Sequence, residues 1–113
     1  MTIGIKIELE EQDGKQILRI EGRIDATSSP VLERKIESLL EKKKIAIDFT
    51  KVDYLSSAGM RLLLSATKKM KSRGGMIVFC GMNDDVMEII KMAGFERILP
   101  IYANEEDALE ALG

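Results

Sequence analysis

From Gln16 onward, short apolar runs of strand length alternate with stretches whose apolar residues recur every three to four positions. No other feature constrains the fold as strongly. A strand followed by a helical crossover returns the chain to the same end of the sheet, so the next strand lies parallel to the last. Upstream, Ile3, Ile5, Ile7 and Leu9 alternate with polar residues, and Gln12-Asp13-Gly14 is a turn signal. The chain therefore begins with a hairpin whose return strand runs from Gln16 to Glu21.

The remaining elements follow from apolar period and punctuation. Gly22 to Thr27 is a connector. Ser29 is the expected cap of a first helix, with Pro30 in its first position and Leu32, Ile36, Leu39 and Leu40 as its buried stripe. A third strand spans Lys44 to Phe49, and Lys51 to Leu55 reads as a short turn. A second helix over Ser57 to Ser72 ends at Gly74-Gly75, and a fourth strand ends at Cys80. Asp84 or Asp85 opens a third helix that Gly94 stops. Leu99 to Tyr102 is a fifth strand, and Glu105 to Leu112 a last helix. The expected fold is α/β: a mostly parallel five-stranded sheet with an N-terminal antiparallel hairpin strand and four helices, as one domain over residues 1–113.

In such a sheet the loops leaving parallel strands toward helices meet at one edge. Three segments belong there: Asp25 to Ser29, Thr50 to Ser57, and Gly81 to Asp85. The most informative is Ser56-Ser57-Ala58-Gly59 at the start of the second helix. A serine there caps free backbone N–H groups, or offers a hydroxyl where a phosphate is well received. Glycine in a first turn costs about 1 kcal/mol against alanine, so Gly59 signals close approach, to a neighbouring element or to a partner.

Composition narrows the chemistry. A net charge of -2 and 4% aromatic residues argue against nucleic-acid binding. The absence of histidine removes histidine-activated nucleophiles and histidine-ligated metal. The single cysteine, Cys80, lies in the apolar run Met76 to Cys80 and reads as a core residue. No run has the length of a membrane span, and the N-terminus lacks a signal-peptide core, so a cytoplasmic protein is expected. Asp25 and Asp48 both fall near strand ends, where a receiver-type phosphoacceptor would hold magnesium. That reading fails because the first strand exits into a hairpin and no lysine leaves the fifth. No cofactor, metal site or catalytic residue is expected.

The stretch from Ile45 to Gly59, with Met60-Arg61-Leu62-Leu63 after it, resembles the signature of the STAS domain. That domain is shared by bacterial anti-sigma factor antagonists and the cytoplasmic tails of sulfate transporters. The likeness includes Gly22-Arg23-Ile24-Asp25, Gly74-Gly75 and Met92-Ala93-Gly94-Phe95, and the short chain is similar to the free-standing antagonists. The resemblance implies a partner-switching regulator. Its unmodified form binds an anti-sigma factor that is also a serine kinase, phosphorylation of one serine ends the complex, and a serine phosphatase resets it. Counting back from Gly59 carries the phosphoacceptor role onto Ser57, with Ser56 as runner-up. Ser56 stands where the family usually has aspartate, and Ala58 where it has a second hydroxyl. The partner surface so implied comprises Asp25, Thr27, Ser28, Ser56, Ser57, Ala58, Gly59, Met60, Met82, Asn83 and Asp84. The free protein is expected to be monomeric, with no nucleic-acid or membrane partner. The alternatives from other classes are a nucleotide-binding or hydrolysing module on the same loop edge, and a scaffold subunit of a signalling assembly.

Overall fold

The computed structural model describes residues 4–113, so Ile3 of the predicted first strand lies outside the described residues. Strands β1 (Ile5–Gln12), β2 (Lys15–Ile24), β3 (Lys44–Leu55), β4 (Met76–Cys80) and β5 (Ile101–Tyr102) form one sheet in sequential order. β1 pairs antiparallel with β2 around a two-residue turn in which Asp13 and Gly14 both have positive φ, and the later pairs are parallel. Helices α1 (Ser29–Glu37), α2 (Ser57–Ser72) and α3 (Asp84–Met92) make the crossovers, and α4 (Glu105–Leu112) follows β5.

Because the parallel strands add in one direction and crossovers are right-handed, α1, α2 and α3 lie together on one face of the sheet. The strand alternation matches this. Ile45, Ile47 and Phe49 of β3 and Ile77 and Phe79 of β4 face that side. There they pack with Leu32, Ile36, Leu63, Met70, Val86 and Ile90 in the main core. Phe49 and Phe79 meet edge-on, their ring centroids 6.1 Å apart. The intervening residues Ala46, Val78 and Cys80 point to the other face, where Ala108 and Leu112 of α4 cover them.

Several boundaries depart from the sequence reading. α1 is capped at Ser28, not Ser29, and Pro30 is its second residue. The helix stops at Glu37. Leu39 and Leu40 still reach the core, but through a turn and a short 3-10 segment (Leu40–Lys42). β3 continues through the stretch read as a turn, to Leu55. Val52 and Leu55 are buried there, paired with Gly22 and Ile24, while register shifts between Arg19/Glu21 and Gly22/Arg23 interrupt the alternation. Such bulges hide a strand from a period-two reading. β2 extends to Ile24 for the same reason. β5 is shorter than expected, because Leu99 is buried ahead of the strand and ladder pairing begins only at Ile101.

Candidate functional site

The carboxyl ends of β2, β3 and β4 lead into loops that are tied to one another. The Ser56 N–H donates to the Ile24 carbonyl at 2.8 Å, fixing the start of α2 against the end of β2. The Asn83 side-chain amide donates to the Val52 carbonyl at 3.2 Å, fixing the start of α3 against β3. Gly59 lets α2 descend onto this junction. A Cβ there would stand 2.7 Å from Leu55 Cδ1 and 2.8 Å from Ile24 Cγ2. The close approach signalled by Gly59 is thus internal.

The two serines divide the work. Ser56 is the N-cap of α2, with extended backbone, and its Oγ accepts from the Gly59 N–H at 3.1 Å. The Met60 N–H donates to the Ser56 carbonyl at 2.9 Å. Ser57 is the first helical residue, not a cap, and is exposed. Its own N–H and that of Ala58 are the first-turn donors beyond these bonds. A negative group on the Ser57 hydroxyl would meet them, together with the positive end of a 16-residue helix.

In the β2–α1 loop, Asp25 Oδ1 accepts from the Thr27 and Ser28 N–H groups, both at 3.0 Å. These bonds hold its carboxyl below the ordinary aspartate value, the Ser28 amide contributing most. Ser28 Oγ donates to the Arg23 carbonyl at 2.6 Å and accepts from the Asp25 N–H at 2.9 Å. Ser28 is fully buried, so its hydroxyl is spent inside the loop and offers nothing to a docking molecule. Met60 is likewise a core residue, 7% exposed. The predicted surface therefore contracts at these positions and at Gly59. Asp25, Thr27, Ser56, Ser57, Ala58, Met82, Asn83 and Asp84 are all partly or fully exposed. Asn83, rather than either aspartate after it, caps α3 by accepting from the Val86 N–H at 2.8 Å.

Two residues absent from the sequence prediction join this edge. The Arg23 guanidinium lies 4.4 Å from the centroid of the Tyr54 ring, and its Nε is 3.7 Å from Asp25 Oδ2. Tyr54 is 37% exposed, so its ring is open to solvent at this edge. The signal for it was present in the sequence as an aromatic two residues before the serines. The turn assignment concealed that it stands on a strand beside Arg23.

Asp48, the other carboxylate weighed for metal, is on a different surface. It is 8% exposed on the α4 side of the sheet, and its Oδ1 accepts from the Thr50 N–H at 2.8 Å and the Thr50 hydroxyl at 2.5 Å. Burial and contact with the Glu105 carboxyl raise its pKa. Glu105 holds the proton less tightly, at about 2, because Arg19 engages both of its oxygens at 2.7 and 3.0 Å. Burial pushes the Cys80 thiol up to about 12, so it is an inert core sulfur. A cleft of about 270 Å³ beside this cluster is lined by Lys6, Glu8, Arg19, Glu21, Thr50 and Lys51. Its lining carries none of the loop residues around Ser57.

A sequential mixed sheet with its crossover helices on one face, and a serine pair at the start of the second, defines a small α/β domain. The STAS domain family model matches residues 6–108, and the chain belongs to that family. It is 26% identical over 113 residues to an anti-sigma F factor antagonist of Paenibacillus polymyxa, with 97% of each chain covered. It is also similar to the crystal structure of an anti-sigma factor antagonist from Mycobacterium paratuberculosis (25% identity, TM-score 0.85, 96% and 93% of the two chains). The Bacillus cell fate determinant SpoIIAA in its phosphorylated form shares the fold at 17% identity, with a TM-score of 0.71 over 96% and 100% of the chains. Among the described residues no helix is long and apolar enough to cross a membrane.

Proposed function

We propose that this protein is an anti-sigma factor antagonist that works by partner switching and has no catalytic activity of its own. The unmodified loop edge, from Asp25 and Thr27 through Tyr54, Ser56, Ser57 and Ala58 to Met82, Asn83 and Asp84, docks an anti-sigma factor that is also a serine kinase. Phosphorylation of Ser57 ends that complex, and a serine phosphatase restores it. The reading rests on family membership and on the named function of the similar proteins. One observation carries the choice of acceptor: Ser56 is occupied as the N-cap while Ser57 stands exposed at the first helical position.

The physics of the switch is local. A phosphoserine adds about -1.5 to -2 charges to a surface that the docked partner has to cover. In the free protein the α2 amides accommodate that charge, whereas in the complex it is desolvated against the partner. A difference of about 4 kcal/mol weakens binding roughly a thousandfold, with no refolding. The test is incubation with the cognate kinase and ATP, followed by mass-spectrometric mapping and a pull-down. Phosphate is expected on Ser57, with loss of the complex. Phosphate on Ser56, with Ser57→Ala still fully modified, would refute the assignment.

A further inference from the structure

The free edge of the sheet has a pattern that complements itself. The Gly4 carbonyl accepts from the Arg23 N–H, and Gln12 faces Lys15 across the two-residue turn, which is a hydrogen-bonded position. Even-numbered residues of β1 therefore bond β2. Ile5, Ile7, Leu9 and Glu11 direct their main-chain N–H and C=O groups to the open edge. The side chains of Ile5 and Ile7 floor a shallow groove of about 430 Å³ against Val31 of α1, rimmed by Arg34 and Lys35. Leu9 continues that face and is 43% exposed. Lys6, Glu8 and Glu10 line the opposite face of the same strand and are exposed.

We propose that a second copy of this chain pairs with this edge, β1 antiparallel to β1, about a two-fold axis at Ile7. Charge selects that register. A pairing centred on Lys6 sets two lysines face to face, and one centred on Glu8 sets two glutamates face to face between its two Lys6–Glu10 pairs. Centring on Leu9 opposes Glu8 to Glu10, and centring on Ile5 leaves Lys6 opposite Gly4. Only the pairing centred on Ile7 places Lys6 of each copy against a glutamate of the other, Glu8, on both sides of the axis without opposing like charges. The same register lays Leu9 of each copy beside Ile5 of the other, over the apolar groove. The pairs Ile5–Leu9, Ile7–Ile7 and Leu9–Ile5 exchange the edge hydrogen bonds that β2 leaves unused. The two sheets become one, and the loop edge around Ser57 stays free on each copy, since it lies at the strand ends and not along β1. The expectation of a monomer, drawn from sequence, gives way to a dimer in this proposal.

Sedimentation velocity from micromolar to millimolar concentration tests it. The unaltered chain is expected to show a concentration-dependent dimer. Lys6→Glu and Glu8→Lys are each expected to weaken it about tenfold, since each sets like charges across both cross-strand pairs. An equimolar mixture of the two variants is expected to form a heterodimer at least as well as the unaltered chain. Leu9→Pro deletes an N–H that β2 does not use and should leave only monomer. A monomer throughout for the unaltered chain overturns the proposal. So does a dimer that Leu9→Pro retains, or one whose single charge variants associate as well alone as when mixed.

Discussion

Replacing each serine at the start of α2 by alanine separates capping from phosphate acceptance. The Ser56 Oγ accepts the Gly59 N–H at 3.1 Å, and that bond is the side-chain cap of the helix. Its loss leaves a first-turn donor without its side-chain acceptor, which costs about 1 kcal/mol. For a chain of this size a urea dependence of about 1.5 kcal/mol per molar is ordinary, so the midpoint of Ser56→Ala falls by about 0.7 M. Ser57 is exposed and supplies no cap, so Ser57→Ala stays within about 0.5 kcal/mol of the unaltered chain. Urea unfolding followed by circular dichroism reads both variants, and phosphorylation by the kinase reads the same pair in the opposite sense. Ser56→Ala is less stable yet modified, whereas Ser57→Ala is stable yet unmodified. If Ser57→Ala loses as much stability as Ser56→Ala, or if Ser56→Ala loses none, the division of roles is wrong.

Gly81 has φ +72, and a Cβ there would press on the Thr50 hydroxyl and stand 2.8 Å from Asp48 Oδ1. Gly81→Ala should therefore lose about 2–4 kcal/mol in urea unfolding, from left-handed backbone strain plus overpacking. Glu105 is held at about 2 against an ordinary value of 4.5, chiefly by Arg19. A depressed carboxyl contributes stability above its ordinary value and loses it as pH falls toward the folded one, whereas the raised Asp48 carries the opposite sign. Urea midpoints at pH 6 and pH 3 should thus fall more for the unaltered chain than for Glu105→Gln. The difference should be about 1–2 kcal/mol, because Arg19 is partly exposed and its pairing is screened. Ser57→Asp should weaken anti-sigma factor binding measurably by calorimetry while leaving the fold intact, with a smaller effect than phosphate because it carries less charge.

What the sequence determined by itself were elements set by local period and punctuation. The hairpin turn at Asp13-Gly14, the helix over Ser57–Ser72 and the strand Met76–Cys80 stand as read, because alternation, helical spacing and glycine stops are properties of neighbouring residues. The convergence of three loops at one sheet edge was also legible, since crossover handedness leaves little choice. Tertiary structure decided the rest. β3 runs on to Leu55 because β2 pairs with it through bulges, and no local pattern in Lys51 to Leu55 records a partner strand. Spacing alone cannot assign the cap to Ser56 or the exposed hydroxyl to Ser57. The hydrogen bond from Ser56 N–H to Ile24, a residue on another strand, fixes where the helix begins. Burial of Ser28 and the placement of Tyr54 beside Arg23 are likewise long-range facts. A residue's neighbours in sequence set its conformation, but which of its atoms remain for a partner depends on what the rest of the chain has already used.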